Sequence, residues 1–181
     1  IDINGVLNPF WKKLNFTPNT LTTLSLLFTV MGVYIIYKYN NFKLGAILYF
    51  IGYFFDCSDG NYARTYNMET KFGDYYDHIS DLFKIVIVLI LVLILKNNII
   101  TTHSRLIFLS GLALIGLIAG IHMGCQQKFY EEQQVFLNMF KRFCPDKKLI
   151  SYTKYFGIGT LQLFIFLYLY NIEFLNTIKL F

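Results

Sequence analysis

Between residues 56 and 81 the chain reads DCSDGNYARTYNMETKFGDYYDHISD, and four of its aspartates stand at helical spacing. At about 100° per residue, Asp56, Asp59, Gly60 and Ala63 fall at i, i+3, i+4 and i+7 and share one face of a helix. Gly73, Asp77 and Asp81 recur every four residues and form a second stripe, which an antiparallel neighbour can face. Two stripes of carboxylate then meet beside strongly apolar sequence. An ionised aspartate at membrane depth costs about 2.5 to 3.5 kcal/mol even on the lenient insertion scale, and four together also repel. A cation must offset them. Hard oxygen donors in this number suit magnesium, manganese or calcium, and the chain has no paired Cys/His set for zinc. Two such ions bridged by carboxylates are a known clamp for phosphoryl oxygens.

Gly60 and Gly73 each stand within one turn of an aspartate and remove side-chain bulk where a substrate approaches. Close helix packing in lipid is the other common use of small residues at such positions. Arg64, one turn beyond Gly60, presents a planar fork that matches phosphate oxygens.

The elements that must position these residues are membrane helices. Of the 181 residues, 55% are hydrophobic, 19% aromatic and only 15% charged, a balance that points away from a soluble domain and toward a bilayer. A crossing takes roughly 20 helical residues, so the length accommodates five or six spans in a single domain, residues 1–181. The expected fold class is all-α, a polytopic transmembrane bundle. Residues 1–16 mix aromatic and apolar positions with Lys12 and Lys13, which predicts an interfacial helix. Spans are expected over about 20–37, 42–62, 75–95, 105–124 and 155–171. The third combines the apolar stretch LFKIVIVLILVLIL, too short alone, with YYDHISD. That places Asp77 and Asp81 at the same boundary where the second span leaves with Asp56 and Asp59. The tail after Asn171 is too short for a sixth full crossing.

The net charge of +5 comes from residues between the apolar runs and makes no continuous basic face for nucleic acid. Lys128, Lys141, Arg142, Lys147, Lys148 and Lys154 mark the segment between the last two spans as cytoplasmic, and by alternation the aspartates face the cytoplasm too. Cys57, Cys125 and Cys144 are too few and too scattered for a disulfide framework or a zinc site and receive no function. The first residue is Ile1, and nothing near it reads as a cleavable signal peptide.

Taken together, Asp56-x-x-Asp59-Gly60-x-x-Ala63-Arg64, eight residues, then Gly73-x-x-x-Asp77-x-x-x-Asp81 resembles at every defining position the signature of the CDP-alcohol phosphotransferase (phosphatidyltransferase) family. With eight fixed residues at background frequencies of roughly 5 to 7% each, chance gives such a match on the order of once in 10¹⁰ starting positions. The Pro18-Asn19-x-Leu21-Thr22 opening of the first span is similar too, and the resemblance runs over about residues 17–125. It implies an enzyme of phospholipid biosynthesis that transfers a phosphoalcohol group from a CDP-alcohol to an acceptor alcohol and releases CMP. Asp56, Asp59 and Asp77 would ligand two magnesium or manganese ions. Asp81 would be the general base or a fourth ligand. Gly60, Ala63, Arg64 and Gly73 would form the nucleotide and phosphate pocket, with Asn19, Thr22 and His78 as further candidates. The implied partners are the CDP-alcohol, the acceptor alcohol, the lipid bilayer and a second copy in a homodimer, with no nucleic acid. The family has six core spans where five are expected here, which bears on the acceptor pocket and not on the metal site.

Asp77-His78 resembles the Asp-His-Gly of choline and ethanolamine phosphotransferases, with Ile79 in place of the glycine, and a packed histidine is the alternative. The substrates stay open between CDP-diacylglycerol with a polar alcohol and CDP-choline or CDP-ethanolamine with diacylglycerol. Asp74 reads as a solvated carboxylate at a helix start. His103 and His122 read as structural. An intramembrane prenyltransferase would carry two separate aspartate-rich motifs, whereas one bipartite cluster is present. A carboxylate-lined cation transporter would have no need of Arg64 and the two glycines.

Overall fold

The computed structural model describes residues 3–129, 141–144 and 146–177, and all regular structure among them is helical. Residues 1, 2, 130–140, 145 and 178–181, which include the centre of the basic segment and Lys179, lie outside the described residues. The helices are α1 (Ile3–Lys13), α2 (Pro18–Tyr39), α3 (Phe42–Thr65), α4 (Lys71–Ile94), α5 (Thr102–Phe129), α6 (Lys148–Thr153), α7 (Ile158–Tyr170) and α8 (Ile172–Thr177). They fall into two compact units, Ile1–Leu95 and Lys96–Phe181.

In the first unit, three of the tight helix connections turn on an asparagine held in the left-handed region: Asn15, Asn40 and Asn67, with φ of 54°, 53° and 53°. Asparagine tolerates that conformation better than other side-chain-bearing residues. α2 opens on a capping box. The Thr17 hydroxyl accepts the Thr20 N–H at 3.2 Å, the Thr17 N–H donates to the Thr20 hydroxyl, and Pro18 fills the first helical position. Both α3 and α4 then pack on α2, while the backbones of α3 and α4 hardly approach each other. Glycine explains the difference. A Cβ on Gly45 would lie 2.7 Å from the Gly32 carbonyl oxygen, and one on Gly52 would lie 2.8 Å from that of Ser25, so only glycine permits α2 and α3 to run this close. Neither Gly60 nor Gly73 makes such a contact between α3 and α4, which are bridged instead by Lys84 reaching Asp56. The two carboxylate stripes therefore meet through their side chains, with both helices backed by α2.

α1 is the expected amphipathic N-terminal helix. It sits on α3, where Trp11 joins Leu21 and Tyr62 in a buried cluster and stacks on Phe16 at 5.8 Å between ring centroids. The helix limits depart from expectation around the site, and α5 runs from Thr102 to Phe129 where 105–124 was expected. α3 continues to Thr65 and α4 starts at Lys71, capped by the Thr70 hydroxyl, so the polar connection is shorter than the sequence suggested.

In the second unit, Phe108 of α5 meets Tyr168 and Phe164 of α7 at 4.7 and 6.1 Å. α7 alone has 13 residues, too few for a crossing of about 30 Å. After a turn at Asn171 the chain continues as α8, whose Leu175 N–H bonds the Asn171 carbonyl, so the tail extends the last long helix rather than starting a new one. Cys125 and Cys144 are joined by a disulfide, which corrects the reading of the cysteines as too scattered to pair. His122 is buried, its Nδ1 lying 2.9 Å from the Thr153 hydroxyl.

By length and apolarity, α2 and α5 qualify as membrane crossings among the described residues. α3 and α4, at 24 residues each, have the length but carry the charged residues of the site. Large apolar side chains such as Leu27, Met31, Ile90, Leu93, Leu114 and Leu117 lie exposed along these helices.

Candidate metal and phosphate site

The site is built entirely within the first unit. α3 contributes Asp56 and Asp59, α4 contributes Asp77 and Asp81, and α2 supplies hydroxyls that bond the two α3 aspartates. Asp59 is the deepest, 3% exposed, and its Oδ2 accepts a 2.5 Å hydrogen bond from Thr22. The Ser25 hydroxyl reaches Asp56 Oδ1 at 3.4 Å. One carboxylate oxygen from each of Asp56, Asp59 and Asp77 lies within 4.8 Å of the others. Ligands on opposite sides of a magnesium ion stand about 4.2 Å apart and adjacent ones about 3.0 Å, so the three carboxylates are near enough to draw in on one ion. The donor set, all carboxylate oxygen with hydroxyl support, fits a hard divalent cation. Exposure rises from Asp59 to Asp77, whose side chain is 34% exposed, so the cluster opens on the Asp77 side.

Asp81 has a different partner. Its Oδ1 accepts from the Lys84 ammonium at 2.9 Å, and the same ammonium donates to Asp56 Oδ1 and, at 3.2 Å, to the Ser25 hydroxyl. Lys84 is 1% exposed. It falls on the stripe of Gly73, Asp77 and Asp81, three residues beyond the last. Treating residues 82–95 as an apolar run passed over it, although a lone lysine inside such a run was the available signal. Ser25 was missed as well, because a serine in an apolar helix gives no chemical hint until the facing residue is known.

The remaining sequence candidates divide. Asn19 is at the site: a Cβ on Gly73 would lie 3.2 Å from its Oδ1 and 3.1 Å from the Thr70 hydroxyl. Gly60 faces the Arg64 guanidinium, whose Nη1 would be 3.3 Å from an added Cβ, and Ala63 is half-buried on the same helix. Arg64 itself is exposed. His78 turns back onto its own helix. Its Nδ1 lies 2.8 Å from the Asp74 carbonyl oxygen and 3.6 and 3.9 Å from the Asp74 and Asp77 carboxylates. Asp74 is thus partly covered and beside His78, not the freely solvated residue the sequence suggested.

A sequence model of the CDP-alcohol phosphatidyltransferase family matches residues 15–173, nearly the whole described chain. The chain belongs to this family. The match carries the family assignment past residue 125 and across both compact units. Among curated relatives, a CDP-diacylglycerol–glycerol-3-phosphate 3-phosphatidyltransferase of Rickettsia felis is 34% identical over 83 residues, which is 45% of this chain and 45% of the relative. An archaetidylinositol phosphate synthase of Pyrococcus horikoshii is 38% identical over 69 residues, 38% of this chain and 36% of that protein. The chain thus spans less than half the length of each of these relatives. No solved structure matches. As a member of a transferase family, the chain presents its four signature aspartates on two helices whose common support is α2, and the Asn19 and Thr22 opening of that helix reaches Gly73 and Asp59.

Proposed function

We propose that the chain is a multi-pass membrane enzyme of phospholipid synthesis that moves a phosphoalcohol group from a CDP-alcohol to an acceptor hydroxyl. The observation that carries the reading is the convergence of Asp56, Asp59 and Asp77 oxygens within 4.8 Å, next to Asp81, in a member of this family. Magnesium or manganese held by those three carboxylates would neutralise and orient the pyrophosphate oxygens of the donor. Thr22 holds Asp59 in place. Arg64, free to swing from over Gly60, offers its fork to phosphate, and the small residues Gly60, Ala63 and Gly73 leave room for the nucleotide. Asp81 takes the proton from the acceptor hydroxyl as that oxygen bonds to phosphorus and the bond from phosphorus to the CMP oxygen breaks. Positioning and charge neutralisation account for most of the rate in such transfers.

For the substrates we infer CDP-diacylglycerol as donor and a phosphorylated polyol such as glycerol 3-phosphate as acceptor, in keeping with the names of the relatives. His78, with Nδ1 engaged on the Asp74 carbonyl, lends little to the choline and ethanolamine alternative. The exposed apolar faces support helices in a bilayer, the basic segment after α5 supports a site on the cytoplasmic side, and the family match through both units supports one domain over residues 1–181. A homodimer belongs to the same reading and is measured by crosslinking in native membranes.

The test is CMP release by the purified protein in lipid with magnesium or manganese, offering CDP-diacylglycerol with glycerol 3-phosphate and, separately, CDP-choline with diacylglycerol. Release from the first pair, abolished in Asp81→Asn, is expected. Release from the second alone would reassign the substrates, and none from either with folded protein would sink the enzymatic reading.

A further inference from the structure

Lys84 divides the four aspartates into two groups that share Asp56. On one side are Asp56, Asp59 and Asp77, with one carboxylate oxygen of each within 4.8 Å of the others and, of the three, Asp56 in an ion pair with Lys84. On the other are Asp56 and Asp81, bridged by the Lys84 ammonium. The ammonium is fully engaged. Its three N–H donors find three oxygen partners, one each on α2, α3 and α4: Ser25, Asp56 and Asp81. It is not a surface lysine that has drifted inward, since the residue is 1% exposed and its stem enters from the α4 stripe that carries Asp77 and Asp81.

A second divalent ion seated between Asp56 and Asp81 would need the place this ammonium takes. Displacing it would leave a buried cation beside a dication with its carboxylate partners removed, and an unpaired buried charge is strongly unfavourable. A lysine is a compact point charge, well suited to stand between two carboxylates where no planar fork is needed.

We infer that Lys84 is a tethered substitute for one of the two divalent ions: the chain binds a single ion at Asp56, Asp59 and Asp77, and the Lys84 ammonium fills the second cation position between Asp56 and Asp81. Lys84 is thereby a positioning residue, aiming the Asp81 carboxylate and sharing Asp56 with the ion. The inference rests on the proposed metal reading of the aspartates and adds to it the number of ions and the identity of the second cation.

The experiment is titration of the purified full chain in detergent with Mn²⁺ alone, following free Mn²⁺ by its electron paramagnetic resonance signal. The wild type should take up close to one ion per chain, with no spin coupling between bound ions. In Lys84→Met the count should rise to two with coupling visible, and Lys84→Arg should stay at one. Asp59→Asn should lose the wild-type ion. Two coupled ions in the wild type would overturn the inference while leaving the metal reading intact, and this holds even if Lys84→Met fails to fold. An unchanged single ion in a folded Lys84→Met would overturn it as well. Absence of saturable Mn²⁺ binding in the wild type would overturn the metal reading itself.

Discussion

Thr22 of α2 donates its hydroxyl to the carboxylate of Asp59 of α3 at 2.5 Å, and both residues are buried. The bond joins the opening turns of the first long helix to the deepest carboxylate of the cluster. It also explains why an unremarkable threonine stands among the residues that mark the family.

Thr22→Val keeps the shape of the side chain and removes the donor. Loss of such a supporting hydrogen bond to a metal ligand costs about 10- to 100-fold in metal affinity or activity. Mn²⁺ affinity and CMP release should therefore fall together by that factor while the thermal midpoint moves little, because Asp59 can still be neutralised by an ion. A Thr22→Val protein with unchanged Mn²⁺ affinity would show that the bond is structural only.

Gly52 and Gly60 separate packing from chemistry. A Cβ on Gly52 would press to 2.8 Å on the Ser25 backbone carbonyl oxygen and 2.9 Å on the Thr29 hydroxyl, so Gly52→Ala must spread α2 from α3. Overpacking of that kind costs about 1 to 3 kcal/mol, and detergent melting should show it. A Cβ on Gly60 meets only the flexible end of Arg64, so Gly60→Ala should leave the melting curve alone. Its effect should be in turnover, at least tenfold lower CMP release, if the bare backbone there is where the nucleotide lies. Equal melting losses for the two variants would remove the distinction.

The four aspartates were legible because their spacing is helical and their number is costly in an apolar chain. The way they meet was not. Sequence spacing shows which residues share a face, but the choice of α2 as the common support depends on where Gly32, Gly45 and Gly52 let backbones touch, and glycine has more than one use. Lys84 was hidden for a related reason: hydropathy averages a single cation away, and only its position on the Asp77 and Asp81 stripe reveals its direction. The left-handed Asn15, Asn40 and Asn67 set tight helix connections whose geometry the spacing of the apolar runs does not show.

Asn8 should couple α1 to α3. It is 1% exposed, and its Nδ2 donates to the Asn61 side-chain oxygen at 2.7 Å and to the Thr65 hydroxyl at 2.9 Å, on either side of Ala63 and Arg64. Asn8→Leu leaves both α3 groups without their donor, at about 1 to 3 kcal/mol. The variant should melt earlier, and KM for the CDP-alcohol should rise more than kcat falls, because the end of α3 that carries Arg64 loses its support. A normal melting curve with normal KM would mean that the Trp11, Leu21 and Tyr62 cluster holds α1 unaided.

The Cys125–Cys144 bridge tests the side of the membrane on which the basic segment lies. The basic residues argue for the cytoplasm, where glutathione and thioredoxin keep thiols reduced. If that orientation holds, both cysteines are free in living cells and the bridge closes once lysate meets air. Trapping thiols in intact cells with a membrane-permeant maleimide and then adding a mass tag to any cysteine released by reductant should give no tagged chain. The same procedure after aerobic purification should tag both. A chain already bridged in the cell would place the segment on an oxidising side and overturn the cytoplasmic orientation, while leaving the aspartate site and its chemistry untouched, since every residue of that site lies before Lys96.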